Sequence, residues 1–281
     1  MKKILLFTFI AISAILTSCD KSSDSSNPAN YDQQSLLAQN YAFIQDVYGD
    51  IFDLLCQATG DSALIASHVG NIAGATVVFD SINNKYVFTF PAKSTNGKTG
   101  EFTADLDGDF EDVGTVAKIS FNNYKVNGNA VQGSNDITNR GKIGGKSTNL
   151  GPTITYSDSI YAQVIKGGET INVAAVFSVD WMLGDTLQVN DDQYWFSGTI
   201  TGTINPNKWF QSVVNPSNKV LIVPLATCQW IQSGIITTTT HTLDANNNPL
   251  QSDIQIDFGT GCNNLVQITM LADGTILTFP M

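Results

Sequence analysis

One stretch predicts the fold more plainly than any other part of the chain: residues 153–181, TITYSDSIYAQVIKGGETINVAAVFSVDW. Apolar and polar residues alternate on both sides of Gly167-Gly168, and a period of two is the pattern of a half-buried β-strand. A Gly-Gly pair between two such runs favours the tight turn of an antiparallel hairpin. We therefore expect two paired strands, Thr153–Ile165 and Thr170–Trp181.

The same alternation extends through the chain from Ala75 onward. It predicts further strands over Thr76–Asp80, Lys85–Phe90, Gly100–Leu106, Val116–Phe121, Ala130–Thr138, Thr186–Val189, Trp195–Ile204, Val220–Thr227, Gln229–Thr240, Gln251–Phe258, Val266–Leu271 and Ile276–Phe279. Turn residues such as Asn, Asp and Gly separate them, and strands do not alternate with helices, so a parallel sheet is not expected. The predicted fold is mainly β: a large antiparallel meander, as a sandwich or a strongly curled, barrel-like sheet, with one N-terminal amphipathic helix.

That helix is predicted over residues 32–56. Apolar side chains recur at spacings of four and three residues, at Leu37, Tyr41, Ile44, Tyr48, Ile51 and Leu55. Gly60 is expected to end it, with a short helical turn after Asp61. A stripe this apolar has to be buried, so we expect the helix to dock on the β domain and complete its core. A coiled-coil dimer is the alternative, although fewer than three heptads is short for that purpose.

The first 31 residues have the pattern of a secretion signal and a tether. A positive start at Lys2-Lys3 precedes an apolar run from Ile4 to Leu16, which is too short to span a bilayer. The next residues, Leu16-Thr-Ser-Cys19, resemble the lipobox of bacterial lipoproteins. We expect a signal peptide over 1–18, a lipidated Cys19 and a flexible polar tether over 19–31. An ordinary signal peptide with an incidental thiol at Cys19 is the alternative.

Two regions follow the tether: the helix and turn over 32–70 and the antiparallel β domain over 71–281. The net charge of the whole chain is −11. Removal of Lys2 and Lys3 with the signal changes it to −11 − 2 = −13. This acidic balance argues against a nucleic-acid partner and against electrostatic adhesion to anionic lipid. The expected partner is a membrane, bound through the lipid on Cys19.

Three cysteines remain besides Cys19, and a disulfide persists in an oxidising compartment outside the cytoplasm. Cys228 and Cys262 both lie in the β region, whereas Cys56 lies on the predicted helix. A Cys228–Cys262 bond is therefore favoured, and three free buried thiols are the alternative. Without a CxxC motif or a Cys/His cluster in the sequence, we expect no zinc site and no other cofactor.

Several motifs resemble a family of uncharacterised lipoproteins from Bacteroidota-type bacteria. In chain order they are Gly74–Asp80, Asn96–Gly100, Asp112–Thr115, Phe121–Asn129, Val131–Gly133, Cys228–Gly234, Asp257–Cys262 and Asp273-Gly274. The Asn96–Gly100 turn departs from the family pattern, because this chain lacks the arginines and the nearby cysteine expected there. The resemblance implies lipidation, a β fold and a Cys228/Cys262 pair that recurs in similar chains. It implies no known activity and no functional residues.

Candidate chemistry is sparse. Alternating carboxylates at Asp105, Asp107 and Asp109 make a weak calcium site, but Gly108 is out of place for an EF-hand loop, and a solvated hairpin tip is the alternative. Trp195 and Trp209 are candidates for stacking on sugar rings, with core packing as the alternative. Only two histidines are present, and there is no Gly-x-Ser-x-Gly motif, so a catalytic triad is not expected.

These observations favour a lipoprotein of the bacterial cell envelope, anchored in the outer membrane, that is a non-catalytic structural or binding module. Its ligand is a glycan or an envelope protein on this hypothesis. A surface glycan-binding protein is the first alternative, and a secreted hydrolase that uses carboxylates is the second.

Overall fold

The structure is a computed structural model that describes residues 28–143, 153–183, 192–223, 227–228, 230–244 and 246–280. Its helices and strands are α1 Pro28–Gly60, α2 Ser62–Ser67, β1 Val69–Ile72, β2 Ala75–Asp80, β3 Lys85–Phe90, β4 Lys98–Leu106, β5 Val116–Val126, β6 Asn129–Ile143, β7 Thr153–Lys166, β8 Glu169–Met182, β9 Gln193–Asn205, β10 Lys208–Val214, β11 Val220–Ile222, β12 Ser233–Leu243, β13 Pro249–Thr260, β14 Leu265–Met270 and β15 Ile276–Pro280.

The strands form one antiparallel meander, which confirms the predicted fold class. Along the main path each strand pairs with the next one in the chain, from β1 to β10 and then from β12 to β15. The short strand β11 lies off this path and pairs with β9 and β12. Because neighbours in sequence are neighbours in space, most connections are short turns.

The hairpin of β7 and β8 shows how the sequence produces this sheet. Their fourteen pairs run without a bulge from Thr153↔Met182 to Lys166↔Glu169. Gly167 and Gly168 close the turn with φ angles of 60° and 83°, values that other residues adopt at a cost. In both strands buried and exposed side chains alternate, as the period of two requires.

The sheet curls around α1 and does not form a sandwich. Gln34 of α1 donates a hydrogen bond to Ser252 of β13, while Asp50 of α1 forms an ion pair of 2.5 Å with Lys98 of β4. Because β4 and β13 are far apart in strand order, the sheet has to bend round for both to contact the same helix. Buried residues of α1 and of the strands form one hydrophobic core.

The sheet encloses α1 on almost every side. From Leu37 to Ala58 every side chain is buried except four half-buried ones, Gln39, Phe43, Asp46 and Gln57. The helix therefore docks on the β domain, as its stripe predicted, and its burial extends well beyond that stripe. Within the part of the chain that is described, neither helix is long and apolar enough to cross a membrane.

Phe52 is the centre of the aromatic packing between helix and sheet. Its ring centroid lies 5.3 Å from that of Tyr156, 5.5 Å from that of Tyr194 and 5.9 Å from that of Phe196, each at a steep interplanar angle. Such edge-to-face pairs add to the free energy gained by burying the rings. The contacts join one turn of α1 to β7 and β9.

The structure corrects several element boundaries. Helix α1 begins at Pro28 and ends at Gly60, and β12 begins at Ser233 where we expected Gln229. Strands β1 and β10 were not predicted. In β10 the polar Ser212 faces the core and Val213 faces solvent, which hides the usual alternation. The strand predicted over Thr186–Val189 lies outside the described residues.

A disulfide joins Cys228 and Cys262, whose Cα atoms are 5.6 Å apart. It ties the segment before β12 to the residues that follow β13. Cys56 is free and fully buried in α1, and burial raises the pKa of its thiol well above the ordinary value.

The core also contains a carboxyl group. Asp158 of β7 is fully buried, and neither of its side-chain oxygens has a hydrogen-bond partner among the described residues. Asn135 of β6 is buried in the same way. Burial, and then the charge of Asp136, raise the pKa of Asp158 to about 8. The ionised form is disfavoured in this environment, so Asp158 is mainly protonated at neutral pH.

Replacement of Phe52 by alanine should destabilise the fold by about 3–5 kcal/mol, because it removes the ring on which three sheet aromatics pack. Urea denaturation of residues 20–281 measures this loss. Ile82→Ala is the matched control, because the Ile82 side chain is 92% exposed. A Phe52→Ala variant as stable as the control would show that α1 is not part of the core.

Replacement of Asp158 by asparagine should flatten the dependence of stability on pH. The folded pKa of about 8 exceeds the ordinary value, so between pH ~4 and ~8 the unfolded carboxyl is ionised while the folded one holds its proton. Folding then takes up a proton, and the unfolding free energy falls as pH rises, by at most about 1.4 kcal/mol per unit. Denaturation at pH 5, 6, 7 and 8 tests this. An unchanged slope in Asp158→Asn would contradict it.

Candidate functional site

The three exposed acidic residues of the predicted weak calcium site lie near the end of β4 (Asp105) and in the β4–β5 loop (Asp107 and Asp109). Asp105 forms an ion pair of 3.4 Å with Lys85. Asp107 accepts a hydrogen bond from the backbone N–H of Val116, and Asp109 accepts one from that of Glu111. These oxygens shape the loop, in keeping with a hairpin tip. Within the described residues no three His, Cys, Asp or Glu side chains are grouped to hold a metal ion.

Trp209 lies on the outer face of β10, directly opposite His241 of β12. The two rings are nearly parallel, with an interplanar angle of 6° and centroids 5.3 Å apart. One face of the indole is therefore covered by the imidazole. His241 also lies within 3.4 Å of the Asn207 carbonyl oxygen through Nδ1. The pair stabilises the outer face of the sheet and leaves only part of Trp209 for a ligand.

Trp195 lies on the outer face of β9, between the buried side chains of Tyr194 and Phe196, and is half-buried. It lines a shallow depression with a volume of about 370 Å³, which we call the Trp195 depression. The other lining residues are Thr153, Asp180, Met182, Pro216, Ser217 and Lys219. The structure thus places one of the two predicted tryptophans in a concave, partly polar surface.

Strand register builds the Trp195 depression. Trp195 is the direct cross-strand partner of Asp180 on β8 and of Leu221 on β11. Directly opposed side chains on one face have Cβ atoms about 5 Å apart. The Asp180 carboxylate is therefore held beside the indole, and Lys219, which precedes β11, reaches the same carboxylate as an ion pair.

Hydrogen bonds fix the polar groups of this depression. Oδ1 of Asp180 accepts a bond of 2.9 Å from the Thr155 hydroxyl, while Oδ2 pairs with Lys219. The indole N–H of Trp195 donates to Gln193 over 3.3 Å. Asp180 is the single carboxylate among the described lining residues. The arrangement offers an aromatic surface with fixed donors and acceptors, which is suited to binding a small polar ligand.

A second concavity, the α1 cleft, opens where the sheet leaves part of α1 uncovered. Its volume is about 250 Å³. Its lining residues are Gln39, Ala42, Phe43, Asp46, Asn127, Asn129, Lys166, Trp230, Phe279 and Pro280. The ammonium group of Lys166 lies 5.5 Å from the Phe43 ring centroid and donates a 3.0 Å hydrogen bond to Asn40.

Burial and neighbouring charges shift the pKa values of the ionisable groups in and next to the cleft. Burial, and then the charge of Asp50, raise the pKa of Asp46 well above its ordinary value, and Lys98 opposes this. Burial also raises the pKa of Asp50, although its ion pair with Lys98 opposes that rise. Burial lowers the pKa of Lys166. The cleft therefore holds a carboxyl and an amine that are both less easily charged than in water.

The sequence did not single out the residues of the α1 cleft. Phe43 was the available signal, since it is an aromatic residue outside the predicted apolar stripe of the helix. Lys166 and Trp230 gave no signal of this kind, because they come from a hairpin end and from a loop that only the folded chain brings to α1.

The two concavities lie at opposite ends of β7. Thr153, its first residue, lines the Trp195 depression, and Lys166, its last, lines the α1 cleft. Thirteen residue steps separate them, so the sites are about 40 Å apart along the strand. The start of α1 is at the cleft end of the sheet, because Gln34 near the start of the helix contacts Ser252 of β13. Following the cross-strand pairs from Gln251, the neighbour of Ser252, through β12, β10, β9 and β8 leads to Gln163, which is near the Lys166 end of β7.

Comparisons of the chain with protein-family models, with curated proteins and with solved structures find no match.

Proposed function

We propose that this chain is a lipid-anchored, non-catalytic module of the bacterial cell envelope that binds carbohydrate in the Trp195 depression. The observation that carries the proposal is the half-buried Trp195 indole beside the Asp180–Lys219 ion pair, in a depression of about 370 Å³. This volume lies within the range of small-ligand sites.

Sugar rings have an apolar face of C–H groups and a rim of hydroxyls. A tryptophan supplies a large, rigid apolar surface at low entropic cost. Asp180 supplies acceptors, Lys219 supplies donors, and the hydroxyls of Thr153 and Ser217 supply both. Because the ion pair and Thr155 already orient Asp180, little side-chain entropy is left to lose on binding.

The anchor is inferred from the sequence alone, since Cys19 lies outside the described residues. The lipobox-like Leu16–Cys19 motif and the resemblance to Bacteroidota-type lipoproteins support an outer-membrane lipoprotein. Helix α1 starts at the end of the sheet that is remote from the Trp195 depression. A tether before α1 would therefore present the depression away from the membrane.

A purely structural role in the envelope is the alternative function. It is favoured by the enclosed core, since α1 fills the space that a curled sheet would otherwise offer to a ligand. Envelope proteins are the partners expected in that case.

Replacement of Cys19 by serine should abolish lipid attachment and move the protein from the membrane fraction to the soluble fraction. Metabolic labelling with a palmitate analogue and membrane fractionation measure both effects. Cys56→Ala is the control, because it removes a thiol that is buried in the core and should leave the label in place. A soluble, unlabelled wild-type protein would rule out the anchor.

Replacement of Trp195 by alanine should weaken carbohydrate binding at least tenfold, or about 1.4 kcal/mol, because it removes the stacking surface. The measurement is retention on arrayed cello-, xylo-, manno- and maltohexaose and on the corresponding polysaccharides. Trp209→Ala is the matched control, since Trp209 is already stacked on His241. Failure of the wild type to bind any of these glycans would favour the structural role.

A further inference from the structure

The α1 cleft contains an acidic and a basic side chain that no ion pair joins within the described residues. Asp46 and Lys166 both line this space of about 250 Å³. No ion pair joins them within the described part of the chain, where the four ion pairs involve other residues. Lys166 is placed against the Phe43 ring and Asn40, and Asp46 is one helical turn beyond Phe43. Phe43, Asp46 and Lys166 thus line the same cleft.

The surroundings of both groups disfavour their charged forms. Both side chains are half-buried, and burial shifts the pKa of each group toward the neutral form. Lys98, the cation that opposes the pKa shift of Asp46, is already paired with Asp50. A bound molecule that supplied an ammonium to Asp46 and a carboxylate to Lys166 would recover this desolvation cost at both groups.

The rest of the lining suits a molecule with a compact apolar part. Trp230 is half-buried in the wall, and Phe279 with Pro280 extends the apolar surface at the end of β15. The side-chain amides of Asn127 and Asn129 add donors and acceptors at the rim. The volume is below the range typical of drug-sized ligands, so the cleft suits a small molecule.

We propose that the α1 cleft binds a free α-amino acid, with its ammonium group on Asp46, its carboxylate on Lys166 and its side chain against Trp230 and Phe279. This proposal is independent of carbohydrate binding, because the two sites are at opposite ends of β7. A neutral sugar would supply an ionic partner to neither group, and a simple anion or cation would supply one to only one of them.

Ligand chemistry provides the first test. The full-length chain, purified in detergent, is titrated calorimetrically with L-phenylalanine, L-leucine and L-glutamine. At least one should bind with a Kd between about 1 µM and 1 mM. Its N-acetyl derivative, which lacks the ammonium, and its amide, which lacks the carboxylate, should each bind at least tenfold more weakly. Equal binding of a blocked derivative, or no binding of any of the three amino acids, would overturn the proposal.

Variants provide the second test. Asp46→Asn and Lys166→Met keep the approximate shape of the side chains, and each should lower the affinity for the bound amino acid at least tenfold. Asp112→Asn and Lys118→Met are matched controls on exposed residues and should bind as the wild type does. Trp195→Ala should also leave amino-acid binding unchanged. Wild-type affinity in both cleft variants would refute the assignment, and the derivative series decides the question if a variant does not fold.

Discussion

Burial of α1 is the constraint on which the structure depends. This helix has 33 residues and is therefore about 50 Å long, and nearly all of its central side chains are buried. A flat sheet covers only one face of a helix, so a sheet that covers several faces has to curl. The curl explains why one continuous sheet, and not two stacked sheets, encloses the core. It also explains why strands as distant in order as β4 and β13 contact α1.

Inward side chains of the sheet are sized to fit this helix. On β9, Gly202 leaves room for the Phe210 ring, because a Cβ at position 202 would lie 2.2 Å from that ring. Phe210 in turn packs edge-on against Tyr41 of α1, with centroids 6.4 Å apart. A larger residue at position 202 would push the ring toward the helix. Because the interior is occupied in this way, both candidate sites lie where the enclosure stops: on the outer face and at the uncovered part of α1.

The parts of the fold that could be predicted are those in which a pattern of neighbouring residues determines the local structure. Alternation and Asx-Gly or Gly-Gly turns gave the β7–β8 hairpin nearly to the residue, and the apolar stripe gave α1. Strand β10 was missed because Ser212 faces the core, where its hydroxyl bonds to Thr238 of β12, a partner that no local pattern reveals. The sites were less predictable still. Trp195 was predicted, but Asp180 and Lys219 join it only through strand register and tertiary contact. Asp46 and Lys166, which are far apart in sequence, line the same cleft only in the folded chain.

Two of the few lysines of this acidic chain lie in the two candidate sites, Lys219 in the Trp195 depression and Lys166 in the α1 cleft. The protein has 25 acidic and 14 basic residues, so its net charge is negative and does not favour adhesion to anionic lipid. Lys98, Lys166 and Lys219 are nevertheless withdrawn partly or fully from water, which costs desolvation energy at each one. Lys98 compensates a carboxylate in the core, and the other two line the two concavities. Lys219 faces a carboxylate beside Trp195 in one depression, whereas Lys166 faces the neutral groups of Phe43 and Asn40 in the other. The desolvation of Lys166 is therefore the one that no carboxylate of the described residues offsets, and a bound carboxylate would offset it.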